Sequence, residues 1–275
     1  MLNRTTVNIL GVRIDVVTIK GLNRVILNRI KQKSGRPLVI FKPYVEFLSL
    51  ASRNDGIRKL LNKSDINAPD SVALQWAASY LYGEPKIRAG RFHLLYSLIF
   101  RMQNKPWLRQ ILPERMAGVD QTLPLLKAAG RLHLKIGIIG GPRDTEETRK
   151  QVGKRFAGAD VHVWSGYFHP SEERNIVKEV AVQDFDILFC AMGFPKQEKF
   201  IIEHKNQLNC KVIIGEGGSF DYDQLGGSIK RAPGFIRKIG FEWFWRLLLQ
   251  PKRVRRQLAI PQFISNVAKQ KKSKN

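Results

Sequence analysis

The stretch DILFCAMGFPKQEKFI, residues 186–201, decides how the rest of the sequence is interpreted. An apolar run without polar alternation ends at Gly193, and Pro195 then opens a segment whose apolar residues have helical spacing. A strand that is apolar on both faces is typical of a parallel sheet covered by helices on both sides. Three further runs have the same form, at 135–141, 160–168 and 211–218.

The segments between these runs have the spacing of amphipathic helices. This alternation predicts an α/β fold, with a Rossmann-like, mostly parallel sheet and helices on both faces. Parallel sheets of this kind bind ligands at the carboxyl ends of their strands. The earlier strand candidates are 7–17 (a strand or hairpin), 37–41 and 65–67, and the predicted helices cover 45–61, 71–82, 119–130, 145–156, 171–183 and 197–208.

Two regions depart from the alternation. Residues 83–113 are basic and aromatic without a clear strand, and beyond Ser228 the alternation stops. Residues 230–275 contain thirteen Lys and Arg against one acid, Glu242. We therefore expect an α/β domain over 1–228, with an insertion around 83–113, and a basic helical appendage over 229–275.

The charge balance points to anionic partners. The chain has 275 residues with 47 Lys and Arg against 23 Asp and Glu, a formal net charge of +24. Nucleic acid, an acidic membrane surface and a phosphorylated substrate all fit such a field. No nucleic-acid-binding motif accompanies it, and large apolar residues interleave the C-terminal cations, which is typical of an interfacial helix. No apolar run approaches membrane-spanning length, so we expect a cytoplasmic protein bound peripherally to the inner face of the cytoplasmic membrane, with no nucleic-acid partner.

Four strand ends carry glycine followed by a polar residue or proline: GGPRD (140–144), SGYF (165–168), GFPKQE (193–198) and GEGGSFD (215–221). Glycine lets the backbone approach a ligand closely, and a helix that begins there offers free N–H groups to a phosphate. We therefore expect Gly140, Gly141 and Gly193 to contact a substrate. The Gln197 amide suits a uracil edge, a ribose or a sugar hydroxyl. Alternatively, Gln197 or Glu198 caps its own helix.

These motifs resemble the WecG/TagA/CpsF glycosyltransferases. The resemblance covers most of residues 7–265 and rests on PERMAGVD (113–120), GYF (166–168), GFPKQE, GEGGSFD, IKRAP (229–233) and GFEWFWRLLLQPKRVRR (240–256), in the expected order. It implies an enzyme that transfers an N-acetylmannosamine-type or related sugar from a UDP-sugar donor. The implied acceptor is a polyprenol-diphosphate-linked sugar in the synthesis of teichoic acid, common antigen or capsule.

The resemblance also implies roles for particular residues. Asp70, in NAPDS, becomes the catalytic base, although it also suits the N-cap of the helix predicted at 71–82. Arg115 becomes the arginine near the leaving diphosphate, where a guanidinium stabilises developing charge. Gln197 becomes a donor contact. The resemblance further implies that the segment after Ser228 folds over the crevice and brings three arginines into it, Arg246, Arg253 and Arg256.

The sequence also departs from the family pattern. The usual Thr-Pro-Asn is replaced by Lys42-Pro43-Tyr44, so Lys42 adds a phosphate contact and Tyr44 a stacking face, or the pocket prefers another sugar. The departures leave open a non-catalytic scaffold of a polysaccharide-assembly complex, and a homo-oligomer is possible. Asp221-Tyr222-Asp223 has the Asp-x-Asp form of a metal site, but the resemblance suggests no ligand there. We expect metal-independent chemistry without a cofactor.

Overall fold

Six parallel strands form the main sheet of this computed structural model, which describes residues 5–33, 35–83, 106–238, 242–251, 254 and 258–273. Their order across the sheet is β4-β3-β8-β7-β5-β6, and every paired neighbour is parallel. The predicted α/β class with a parallel sheet is confirmed. The strands are β3 (Leu38–Phe41), β4 (Ile66–Asn67), β5 (Lys135–Gly140), β6 (Asp160–Trp164), β7 (Phe185–Ala191) and β8 (Cys210–Gly215).

The central strand β7 shows why an apolar run without alternation was the correct signal. Ile187 and Phe189 lie in one hydrophobic core, whereas Leu188 and Cys190 lie in the other. Successive side chains of a strand point to opposite faces. Both faces of β7 are therefore buried, as a helix-covered parallel sheet requires.

Helices cover the two faces of the sheet. One core receives side chains of α2, α3, α4, α7, α8 and α11, and the other receives those of α1, α5 and α6. The helices are α1 (Ile19–Ile30), α2 (Val45–Ala51), α3 (Asp55–Asn62), α4 (Val72–Tyr82), α5 (Gly118–Arg131), α6 (Thr145–Arg155), α7 (Glu173–Ala181), α8 (Lys196–His204), α9 (Gly234–Lys238), α10 (Glu242–Leu249) and α11 (Ala259–Lys272).

The N-terminal run folds as a hairpin outside the main sheet. β1 (Thr6–Ile9) and β2 (Val12–Asp15) pair antiparallel around a two-residue turn at Leu10 and Gly11. Both turn residues have positive φ, 53° and 82°, which two-residue hairpin turns require. The hairpin alternative for residues 7–17 is the one that the structure adopts.

The segment after Ser228 divides into parts with different surroundings. In α11, the Phe263 and Val267 side chains are fully buried in the main core, and the Asn266 amide donates to the Ser52 hydroxyl of the loop after α2 over 2.9 Å. Helices α9 and α10 instead carry exposed apolar side chains. The division at residue 229 stays a prediction, and α11 contributes to the core of the α/β domain. Of the predicted insertion 83–113, residues 84–105 lie outside the described part of the chain.

Candidate active site

The topology of the sheet predicts a ligand crevice at its carboxyl edge. β5 leads to β6 on one side, whereas β7 leads to β8 on the other, so the strand order reverses between β5 and β7. Ligands of open parallel sheets bind at such a reversal. The residues that follow β3, β4, β7 and β8 carry most of the predicted site.

Asp70 follows β4 and is fixed by its backbone. Its N–H donates to the Pro43 carbonyl over 3.0 Å, and the Met116 N–H donates to the Pro69 carbonyl over 2.7 Å, which brings the PERMAG segment alongside. The N-cap of α4 is Ser71, whose hydroxyl accepts from the Leu74 N–H. The alternative in which Asp70 caps this helix is therefore wrong, and its carboxylate makes no hydrogen bond to a described residue.

Asp70 has a raised pKa. Burial is the largest cause and raises the pKa from the ordinary value of 3.8 to about 7. The positive charges of Lys42, Arg115 and Arg246 oppose this increase, whereas the negative charge of Glu216 adds to it. The side chain is half-buried, so part of it stays accessible. A carboxyl group whose pKa lies near the working pH is well suited to accept a proton during catalysis.

Lys42 and Glu216 form a buried ion pair on the crevice floor. The Lys42 ammonium bonds the Glu216 carboxylate and lies 3.4 Å from the Thr122 hydroxyl at the start of α5. The two residues are only 4% and 5% exposed. No motif spacing indicates Glu216 as the partner of Lys42, because 174 positions separate the two residues. The other departure, Tyr44, is the N-cap residue of α2, and its hydroxyl donates to Glu46 over 2.6 Å.

Arg115 lies in the segment directly before α5, partly exposed and without an ion pair to any described residue. It is close enough to Asp70 to lower the pKa of that carboxyl. Gly118, in the same PERMAGVD motif, allows this segment to pack against the loop after β8. A Cβ at Gly118 would meet the Ser219 hydroxyl and would lie 2.7 Å from Glu216 Oε1. The start of α5 therefore packs directly on the GEGGS loop.

The predicted glycines line the crevice at the reversal. Gly140, Gly141 and Gly193 have φ of 104°, 83° and 80°, which L side chains rarely adopt. At Gly140 a Cβ would lie 2.5 Å from the Ala191 carbonyl oxygen, whereas at Gly193 it would meet nothing within 4 Å. The space above Gly193 is thus open to a ligand; the contacts themselves stay a prediction.

Gln197 is 2% exposed, and both ends of its amide are engaged. Its oxygen accepts from the Gly193 N–H over 3.1 Å, and its nitrogen donates to the Glu198 carboxyl over 2.8 Å. Burial raises the pKa of Glu198 to about 8, with an opposing contribution from Gln197. Gln197 thus holds the turn before α8, but the N–H group that donates to it belongs to Gly193 and not to the first turn of the helix. The capping interpretation and a contact between Gln197 and substrate both stay predictions.

Tyr167 is a candidate that motif reading did not single out. It follows β6 in the SGYF motif, its side chain is 66% exposed, and the Arg143 guanidinium lies 5.2 Å from its ring centre. Nearby, the Lys196 ammonium donates to the Gly166 carbonyl over 2.9 Å and lies over the Phe168 ring. An exposed aromatic face with cations beside it suits a nucleobase and its phosphates.

Arg246, on α10, reaches the GGSFD loop. Its guanidinium donates to the Gly218 carbonyl over 2.7 Å and to the Asp221 carboxylate over 2.9 Å, and it lies 4.4 Å from the Tyr222 ring centre. Its positive charge also lowers the pKa of Asp70. Arg253 and Arg256 lie outside the described residues. In the described part of the chain, no helix has both the length and the apolar character to span a bilayer.

The fold thus describes an α/β protein with a carboxyl of raised pKa and several cations at the edge of the sheet where ligands bind. Comparison with family models places residues 7–108 and 105–275 in one family, and the chain belongs to the glycosyl transferase WecG/TagA/CpsF family. Two curated relatives are each an N-acetylglucosaminyldiphosphoundecaprenol N-acetyl-beta-D-mannosaminyltransferase of Staphylococcus aureus, from strains MRSA252 and NCTC 8325 / PS 47. They are 28% and 27% identical over 271 residues, 98% of this chain and 95% of each relative.

Proposed function

We propose that this glycosyltransferase moves an N-acetylhexosamine-type sugar, of the N-acetylmannosamine kind, from a UDP-sugar to a polyprenol-diphosphate-linked sugar in cell-surface polysaccharide synthesis. The observation that carries the proposal is Asp70: a half-buried carboxyl with a pKa near 7, surrounded by Lys42, Arg115, Glu216 and Arg246. The names of the relatives specify an N-acetylmannosaminyl group and a diphosphoundecaprenol-linked N-acetylglucosamine acceptor for those proteins. Their similarity over almost the whole chain supports the same substrate class here.

In the proposed reaction, Asp70 accepts the proton of the acceptor hydroxyl as that oxygen bonds to the anomeric carbon of the donor. The bond from the anomeric carbon to the diphosphate oxygen breaks, and UDP leaves with its negative charge. Arg115 stabilises this charge, because a guanidinium is always protonated and binds phosphate oxygens in pairs. Arg246 contributes a second positive charge over the same crevice.

The donor nucleotide is proposed to lie across the ends of β5, β6 and β7. Tyr167 offers a stacking face, Arg143 a cation beside it, and Gly193 an open backbone surface. Asp221, the first carboxylate of the Asp-x-Asp sequence, is already paired with Arg246. We therefore predict that transfer persists in EDTA; loss of turnover in the chelator, restored by Mg²⁺ or Mn²⁺, would make the enzyme metal-dependent.

The lipid-linked acceptor is proposed to reach the crevice from a membrane surface. Among the residues that the structure describes, six of the nine exposed large apolar side chains fall between residues 235 and 258, within the strongly basic segment: Phe235, Phe244, Leu248, Leu249, Val254 and Leu258. Apolar side chains among cations suit the interface of an anionic bilayer. Replacing Phe244 and Leu248 by Ser should lower sedimentation with anionic vesicles about tenfold or more. Val182→Ser, at an exposed position directly after α7 and outside the basic segment, is the control. Equal binding by both variants would contradict a membrane role for this segment.

Transfer itself is tested by UDP release from UDP-N-acetylmannosamine in the presence of an undecaprenyl-diphosphate-linked N-acetylglucosamine. We expect turnover in the wild-type protein and a loss of about 10²–10⁴-fold in Asp70→Asn, which keeps the shape but accepts no proton. Asp160→Asn is the matched control, because Asp160 is exposed at the amino end of β6. Normal turnover in Asp70→Asn, or no turnover with any UDP-N-acetylhexosamine in the wild type, would refute the proposal.

A further inference from the structure

Lys42 and Glu216 bury opposite charges directly beside the proposed base. The Lys42 ammonium is bonded by the Glu216 carboxylate and lies within 3.4 Å of the Thr122 hydroxyl. Its side chain is 3% exposed, and that of Glu216 is not exposed at all. A lysine that contacts a substrate phosphate needs an open ammonium, and this one faces protein.

The pair also joins the backbone segments that carry Asp70. Lys42 follows β3, and the next carbonyl, that of Pro43, accepts the Asp70 N–H over 3.0 Å. On the other side, the Glu216 N–H donates to the Cys190 carbonyl at the end of β7 over 2.8 Å. The ion pair therefore fixes the end of β3 relative to β7 and β8, and Asp70 is attached to the segment that is fixed.

We propose that Lys42 and Glu216 are positioning residues for Asp70, a matched pair that holds its backbone and balances the local field, and that Lys42 is not a ligand of the donor diphosphate. The inference rests on the proposed function, because it takes Asp70 as the base. Moving Lys42 towards a phosphate would leave the Glu216 charge buried and uncompensated, which is strongly unfavourable. Glu216 Oε1 already lacks a hydrogen-bond partner among the described residues.

The two charges act on Asp70 in opposite directions. Lys42 lowers the pKa of the Asp70 carboxyl and Glu216 raises it, while Arg115 and Arg246, the other charged groups that act on it among the described residues, both lower it. If one member of the pair is removed, the effect of the other on the pKa of Asp70 is no longer opposed. Removing both should leave the pKa of Asp70 close to its original value, because the two opposite effects are lost together.

A double-mutant cycle with pH profiles tests the pair. For Lys42→Met, Glu216→Gln and the double variant, kcat/KM is measured from pH 5 to 9 with the donor and acceptor named above. We expect the acidic limb to move up by about one pH unit in Lys42→Met and down by about one unit in Glu216→Gln. The double variant should return to within about 0.3 unit of the wild type, with UDP affinity by calorimetry changed less than about threefold.

Three results would overturn the inference. If the double variant binds UDP more than about tenfold more weakly, Lys42 is a diphosphate ligand. If neither single variant moves the acidic limb, the pair does not act on the base. If thermal melts show that the single variants do not fold, the double variant decides the question, because it leaves no unpaired charge. A double variant that is unfolded, or whose acidic limb is displaced from that of the wild type, contradicts the proposal. The failure of Asp70 as the base is separate, because it would show as normal turnover in Asp70→Asn.

Discussion

Replacing Asp70 by Asn should stabilise the protein while it abolishes catalysis. In the folded protein the pKa of Asp70 is raised to about 7, against 3.8 in the unfolded chain. Between these two values the folded state binds more protons than the unfolded state. The free energy of unfolding therefore falls as the pH rises through this window, and it stays lower above it. Asn carries no charge at any pH and removes this penalty.

The shift sets the size of the effect. One pKa unit corresponds to about 1.4 kcal/mol, so the full shift corresponds to about 4 kcal/mol at pH 8. Because Asp70 is half-buried and solvent screens part of its field, we expect about half of this, about 2 kcal/mol at pH 8 and about 1 kcal/mol at pH 5. At pH 8 this is a rise in Tm of about 4 °C or more.

Urea unfolding at pH 5 and pH 8, followed by circular dichroism, measures the difference for Asp70→Asn and for the control Asp160→Asn. The control should show no comparable gain, because Asp160 is exposed. A variant that is no more stable than the wild type at pH 8, or whose gain does not grow with pH, would refute the argument that burial forces the proton onto Asp70.

Three further predictions concern neighbouring groups. Arg115→Ala should lower kcat by about 10²-fold or more and change UDP affinity much less, because its charge matters most as the diphosphate leaves; equal losses in both would make it a ground-state ligand. Glu198→Gln should raise the free energy of unfolding by about 3 kcal/mol at pH 9 and by little at pH 4.5. The reason is that the pKa of Glu198 is raised to about 8, so its charged form is disfavoured in the folded state. A difference that does not depend on pH would contradict this. Gly118→Ala should destabilise the protein by about 1–3 kcal/mol because its Cβ collides with Ser219, whereas Gly153→Ala in α6, with nothing within 4 Å, should stabilise it by about 0.5–1 kcal/mol in the same melts.

The strands could be predicted from the sequence because their signal is local. The predicted strand 186–193 corresponds to β7, Phe185–Ala191, and differs only at its ends. Its last two residues belong to the turn that Gly193 makes with positive φ. Apolar residues without alternation, ended by glycine, were enough to locate such strands and, through the parallel topology, the edge where ligands bind.

The helix predicted over 45–61 is divided, and the reason is also local. Asn54 accepts a hydrogen bond from the Ile57 N–H and begins α3, while α2 ends at Ala51. Apolar spacing continues across the break, so periodicity alone predicted one helix. The Asn54-Asp55 pair was the signal for a new start, since Asn is a favoured N-cap and Asp a favoured first-turn residue.

The site was predicted less completely, because its decisive contacts join distant positions. Asp70 and Arg115 come together through the hydrogen bond between Met116 and Pro69, which no motif spacing reveals. In the sequence Glu216 is one residue of the GEGGSFD motif, and its role becomes visible only through its ion pair with Lys42. A buried carboxylate beside a buried lysine is recognisable only when both positions are known in space.

The GFPKQE motif shows how a sequence can indicate a site and leave its chemistry open. A strand end followed by Pro, Lys, Gln and Glu suggested side chains that face a ligand. In the structure Gln197 and Glu198 face inward: the Gln197 oxygen holds the Gly193 N–H, and its nitrogen is held by Glu198, whose raised pKa keeps it mostly neutral at pH 7. Neutral Glu198 needs no counter-charge in the core, so the pair can lie beneath Gly215 and stabilise the turn. We infer that the motif serves the crevice mainly by fixing the backbone at Gly193, where the space for a ligand is open, and that the conformation of that glycine matters more than an exposed amide.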